Sequence, residues 1–151
     1  MRKYSIIIPV YNRPDELTEL LECLVQQTFK NFEVIIVEDG SKIKCEKAVQ
    51  SFKNKLEIYY FYKENSGQGF ARNYGLERAK GDYFILFDSD ALIEANYLEI
   101  VENHLNTQFV DLYGGPDTNH PSFTPIQKGI SYSMTSVFTT GGIRGKKSNL
   151  G

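Results

Sequence analysis

The stretch GFARNYGLERAKGDYFILFDSD, residues 69–90, decides the fold. Its first half, Gly69 to Ala79, reads as a helix. Its second half opens with Tyr83-Phe84-Ile85-Leu86-Phe87, a β-rich apolar run bounded by Gly81 and Ala91, which predicts a strand buried on both faces. Asp88-Ser89-Asp90 then stands where that strand leaves the sheet, at the edge where open α/β sheets bind ligands. Hard oxygen ligands on a short turn suit Mg²⁺ or Mn²⁺, which would keep waters and take its remaining ligands from a diphosphate. The plain alternative for two acids around a small residue is a solvated turn or a helix cap.

The same strand-then-helix pattern extends in both directions from this stretch. Tyr4 to Val10 is a β-branched run, followed by Leu17, Leu20, Leu21, Leu24 and Val25 at helical spacing. Phe32 to Val37 predicts a second strand and Ile43 to Phe52 a weaker helix; Leu56 to Tyr62 predicts a third strand and Asn96 to Leu105 a further helix. Strands alternating with helices imply an α/β fold, a doubly wound and mostly parallel central sheet with helices on both faces. Beyond it, Asp111 to Tyr113 is a candidate fifth strand, and Gly114-Gly115-Pro116 begins an irregular segment. Ser122 or Thr124 would cap a helix whose stripe of Ile126, Ile130, Met134, Val137 and Phe138 suits a packed face better than a membrane surface; Gly141-Gly142 would end it.

A chain of 151 residues is one domain's worth and needs no covalent staples. The net charge of −2 argues against a bulk nucleic-acid binder. It is distributed unevenly: through Asp117 the balance is −6, and from there on it is +4, carried by Lys128, Arg144, Lys146 and Lys147. Such a basic end could meet phosphate, an anionic membrane or an acidic partner segment, and Arg144 to Lys147 is expected to form a mobile basic loop. Cys23 and Cys45 lack metal-ligand spacing and read as inert thiols in a reducing compartment. The apolar run after Met1-Arg2-Lys3 breaks at Pro9, too early for a signal peptide, and no stretch reaches membrane-spanning length, so a cytoplasmic location is expected.

Two phosphate-binding signatures are missing. Pro9-Val10-Tyr11-Asn12-Arg13 follows the first strand without the glycines a dinucleotide would need, and Arg72 stands where Gly67-Gln68-Gly69 would require a third glycine. Thr139 to Ser148 imitates a Walker loop, but its first glycine is absent and Lys147 replaces the hydroxyl residue. Acidic strand ends occur twice, however. Glu38-Asp39-Gly40-Ser41 closes the second strand, where a carboxylate can accept from a nucleobase imide or a ribose hydroxyl; equally, Asp39 or Ser41 could cap the next helix. Two acidic strand ends in one sheet need an offsetting cation. Asn65 to Asn73 permits close backbone approach at its glycines, and Arg72 offers a fork of donors to a phosphate or, more plainly, a surface ion pair to Glu77 or another acid. Tyr11 could stack on a base or simply pack. His120 reads as a bystander.

SIIIPVYN (Ser5 to Asn12), the helix ending in Gln27-Thr28, NFEVIIVEDGS (Asn31 to Ser41) and NSGQGFARNYGLERAKGDYFILFDSD (Asn65 to Asp90) together resemble family 2 glycosyltransferases. The motifs fall in the family's order and spacing across about the first 95 residues. The resemblance implies a three-layer, Rossmann-like GT-A fold and a nucleotide-sugar donor site, with a UDP-sugar the expected donor and Mn²⁺ or Mg²⁺ the cofactor. Pro9, Tyr11, Asn12 and Asp39 would hold the nucleoside, with Asp39 facing the base. Glu38, Arg72 and Ser89 would complete the donor-binding set, Asp88 would contact the ribose or the metal, and Asp90 would ligate the metal. The chain departs from the family's pattern at Glu38, where Asp is usual, and at Ala91, where a further acid often follows. No carboxylate follows Asp117, so the general base of inverting transfer is not identified.

The expected organisation is a donor-binding α/β domain over residues 1–113 and the start of an acceptor-side segment over 114–151, cut short. The acceptor would be a sugar or a lipid-linked sugar, as in polysaccharide biosynthesis, with peripheral association at the inner face of the membrane one use for the basic end. A non-catalytic nucleotide- or partner-binding module is the alternative. A phosphoacceptor domain would want acids where Tyr11-Asn12 stand, and a sugar nucleotidyltransferase a glycine-rich basic loop there.

Overall fold

The computed structural model describes residues 2–112. Elements alternate as expected: β1 (Tyr4–Val10), α1 (Pro14–Val25), β2 (Phe32–Asp39), α2 (Glu46–Gln50), β3 (Ile58–Lys63), α3 (Gln68–Leu76), β4 (Tyr83–Leu86) and α4 (Tyr97–Thr107). The predicted helix over Ile43 to Phe52 contracts to five residues, and Cys45 precedes it. Asp111 and Leu112 carry no strand, while Tyr113 and the segment, helix and basic loop expected beyond it lie outside the described residues.

Four strands form one sheet in the order β3-β2-β1-β4, every neighbouring pair parallel. The chain winds outward from β1 through β2 to β3 and then returns to the other side of β1. That reversal opens a crevice at the carboxyl ends of β1 and β4, the position at which doubly wound sheets bind ligands. Both acidic motifs occur at carboxyl ends of this sheet, at β2 and just beyond β4.

β1 and β2 are buried at every residue, as central parallel strands require. Side chains alternate along β1, so Tyr4 and Ile7 lie on opposite faces. On the Ile7 face, α3 packs Ala71 against Ile7, Ile35 and Val37. Gly75 makes that approach possible, because a Cβ there would stand 2.6 Å from Ile7 Cγ2. On the opposite face, Tyr4 donates its hydroxyl to Glu102 of α4 at 2.6 Å. α1 buries Leu17, Leu20, Leu21 and Leu24, the i, i+3, i+4, i+7 stripe. Gln27, fully buried just beyond it, joins α1 to α4 by donating to Glu94 O and accepting from Leu98 N.

The predicted burial of Tyr83–Phe87 on both faces is corrected. β4 is an edge strand among the described residues, and Phe84 and Leu86 are 50% and 48% exposed. They pair in register with Ser5 and Ile7, on the α3 side, but α3 sits over β1 and β2 and leaves the β4 end of that face open. An apolar run cannot distinguish an edge strand from a central one when its own residues are all hydrophobic.

Candidate donor site

At the carboxyl ends of β1, β2 and β4, a cleft of about 360 Å³ is lined by Pro9, Val10, Tyr11, Arg13, Asp39, Gln68, Asp88, Ser89 and Asp90. Six of the nine sequence-derived site residues therefore line one cavity. The other three, Asn12, Glu38 and Arg72, are placed differently.

Asn12 is in the left-handed region (φ 55°), the one non-glycine residue with positive φ among those described, a conformation asparagine tolerates. Its Oδ1 accepts from Lys42 N at 2.7 Å and Ile43 N at 3.1 Å, and its own amide donates to Ser41 Oγ at 2.9 Å. Asn12 thus ties the β1–α1 loop to the loop after β2, which fixes the positions of Tyr11 and Arg13 on either side of it. Tyr11 is 48% exposed, its ring available at the cleft.

Glu38 is fully buried, accepting from Cys45 N at 3.1 Å and from the Tyr60 hydroxyl. Its role here is to join β2, β3 and the start of α2. Burial, with the Glu38 carboxylate beside it, pushes the Cys45 thiol up to about 12, so that thiol is inert.

Asp39 is the next residue along β2 and points the other way. It is 4% exposed and held by the Lys63 ammonium at 2.6 Å, Ser66 N at 3.0 Å and Gly67 N at 2.8 Å. Burial by itself would raise its pKa; those three donors outweigh that and hold the carboxyl below its ordinary range. The capping alternative for the next helix is not what forms: α2 has no side-chain cap, and Asp39 instead binds the approach to α3. Gly40 is essential to this junction, with φ 73° and Asn65 N only 2.6 Å from where a Cβ would stand.

The Asp88-Ser89-Asp90 turn is built differently. Ser89 is buried, and the two flanking carboxylates are 55% and 54% exposed. Arg72, on the first turns of α3, reaches Asp88 Oδ1 at 2.6 Å rather than Glu77, and Gln68 Nε2 reaches the same oxygen at 2.7 Å. Arg13, from the loop after β1, reaches Asp90 Oδ2 at 2.7 Å. Arg72 Nε is buried and without a hydrogen-bond partner among the described residues.

The cations that the two acidic strand ends require are therefore Lys63, Arg72 and Arg13. Sequence reasoning found Arg72 and missed Lys63, Arg13 and Gln68. Lys63 stands at the end of β3 beside β2, in register with Asp39, a placement that follows from strand order rather than from spacing along the chain. No group of three or more histidine, cysteine or acidic residues is placed to hold a metal among the described residues. The protein's contribution to a cation here is two carboxylates on one turn. That donor set fits Mg²⁺ or Mn²⁺, which commonly take one or two carboxylates and complete their shell with phosphate and water.

A sheet of this topology, with acids and a tyrosine gathered at its switch point, defines a nucleotide-binding α/β protein of the GT-A class. Residues 5–150 match the profile of Glycosyl transferase family 2, and the chain belongs to that family. It is 47% identical over 102 residues to an uncharacterized glycosyltransferase of Rickettsia typhi, RT0329, covering 68% of this chain and 31% of that protein. Among solved structures, S. aureus TarS 1-349 in complex with UDP-GlcNAc superposes with a TM-score of 0.69 at 31% identity, covering 76% of this chain and 37% of that one. The mannosyltransferase PcManGT of Pyrobaculum calidifontis, in complex with GDP-Man and Mn²⁺, superposes at 0.57 with 26% identity, covering 60% and 28%. The chain thus spans about a third of the length of these relatives. No helix among the described residues is long and apolar enough to cross a membrane.

Proposed function

We propose that this chain carries the donor-binding part of a metal-dependent, inverting glycosyltransferase that uses a UDP-sugar. The observation carrying the reading is the convergence of Tyr11, Asp39, Asp88 and Asp90, from three strand ends, on a single cleft. In this reading Tyr11 stacks on the base, and Asp39, fixed in its ionised form by Lys63, accepts the imide N–H of uracil. Arg72 donates to the phosphates from α3. Asp88 and Asp90 hold Mn²⁺ or Mg²⁺, which would supply Lewis-acid stabilisation of the departing diphosphate. UDP is favoured over GDP because TarS, the more similar of the two structural relatives, is the one in complex with a uridine nucleotide.

Residues 1–113 form the donor domain in this reading, and 114–151 begin the side that receives a sugar or lipid-linked acceptor. The basic end is the element that would bring the protein to the inner face of a membrane from the cytoplasm.

Calorimetric titration of UDP, GDP and dTDP, each with and without Mn²⁺, tests the proposal. Metal-dependent binding selective for UDP is expected. Binding indifferent to metal, or no binding, would overturn it.

A further inference from the structure

The two carboxylates of the Asp88-Ser89-Asp90 turn are each matched by a guanidinium, yet the two arginines are mounted differently. Arg72 projects from α3, has its Nε buried, and shares Asp88 Oδ1 with Gln68. Arg13 belongs to the loop between β1 and α1, where its backbone carbonyl starts the helix by accepting from Leu17 N and its side chain caps nothing. Its side chain is 49% exposed and pairs with the similarly exposed Asp90. An exposed, single-contact ion pair is worth little and exchanges readily.

We propose that Arg13 is a resident counter-cation of the site, which competes with a divalent metal for Asp90 and, once displaced, is redeployed onto the donor's diphosphate. This inference rests on the donor-site reading above. A guanidinium 2.7 Å from Asp90 Oδ2 sets its positive charge beside any cation that Asp90 would ligate, so metal entry and the Arg13–Asp90 pair oppose one another electrostatically. The freed guanidinium stays in the same cleft, because Arg13 and Asp90 both line it. There the richest acceptor for a planar fork of N–H donors is a diphosphate. Arg72 is the poorer candidate for exchange, since its helix mounting and the second donor from Gln68 hold Asp88 in place. In its resting state Arg13 keeps two neighbouring carboxylates from repelling one another; with nucleotide bound it adds positive charge where the diphosphate needs it. Metal alone would therefore bind weakly, and metal with nucleotide strongly.

The test uses the full 151-residue chain and its Arg13→Gln variant. Mn²⁺ is titrated without nucleotide, with free Mn²⁺ read by electron paramagnetic resonance, and UDP is then titrated calorimetrically at saturating Mn²⁺. Arg13→Gln is expected to bind Mn²⁺ alone roughly three- to fivefold more tightly, the scale of a lost surface ion pair, and UDP with Mn²⁺ roughly fivefold more weakly. Opposite signs are required, because damage to the fold would weaken both. If wild type binds UDP with Mn²⁺ and Asp90→Asn abolishes that dependence, any result for Arg13→Gln other than opposite shifts overturns the role of Arg13 and leaves the donor site standing. If wild type shows no Mn²⁺-dependent UDP binding, both fall.

Discussion

The carboxylates at the ends of β2 and β4 are the same functional group in two unlike settings. Asp39 is 4% exposed and gripped by Lys63 and two backbone amides, while Asp88 and Asp90 are more than half exposed and held by side chains alone. The first setting suits recognition, where an acceptor must be ionised and immobile before the ligand arrives. The second suits exchange, where one cation must be able to replace another. Both line a single cleft, and the difference lies in who supplies the partners: backbone and a half-buried lysine in one case, exposed side chains, chiefly arginines, in the other.

Asp90→Asn probes the exchangeable end and carries the largest expected effect. UDP affinity in Mn²⁺ is expected to drop to its metal-free level by calorimetry, and unchanged affinity would mean that the exposed turn is only a solvated loop. Asp39→Ala probes the fixed end. UDP binding should weaken about ten- to a hundredfold with or without metal, since a hydrogen bond to a charged group is worth ~1.5–3 kcal/mol. If the loss appeared only in the presence of Mn²⁺, the division between the two ends would fail.

Lys63→Met sharpens the comparison by stripping Asp39 of its ammonium. It is expected to cost about 1–3 kcal/mol in urea unfolding, the penalty for leaving a buried acceptor short of a partner. Acid should expose the same asymmetry. Because the Asp39 carboxyl is held below its ordinary value in the folded state, it adds stability at neutral pH; that contribution begins to fade below the unfolded-state value of about 3.9 and is lost as pH falls through the folded value. Thermal unfolding of wild type should fall more steeply than that of Lys63→Met across this acid range, and parallel slopes would deny Lys63 its part. The smallest effect is that of salt. Raising ionic strength should loosen the exposed arginine pairs and tighten Mn²⁺ competition for Asp90 only slightly, leaving Asp39 unmoved.

Much of this could be read from residues in order. Strand and helix alternation, the leucine stripe of α1, and the acids at strand ends depend on local pattern, and they stand in the structure where the pattern put them. Arg72 was legible as a donor because it lies in the helix that follows the glycine-bearing loop, although Glu77 or another acid was a plausible partner until the fold chose Asp88. Lys63 and Arg13 were not legible. Their roles arise from strand order, which sets β3 beside β2 and the β1 loop beside the β4 turn, and no spacing along the chain encodes those adjacencies. Glu38 and Asp39 looked alike as a pair; only the alternation of a strand between two differently furnished sides separates a buried brace from a cleft acceptor. The exposure of Phe84 and Leu86 was hidden for the same reason, since edge and centre are properties of the sheet.

Gly75 is one helical turn from Arg72, on the same short helix, and its backbone lies so close to the sheet that a Cβ there would collide with Ile7. A helix of nine residues moves as a rod. A methyl group added at position 75 would wedge the rod away from Ile7, and the arginine at its middle would travel with it. The reach of a guanidinium toward Asp88 is thus calibrated by a hydrogen atom one turn further along the helix, so a change in the packed interior would shift Arg72 against its carboxylate partner.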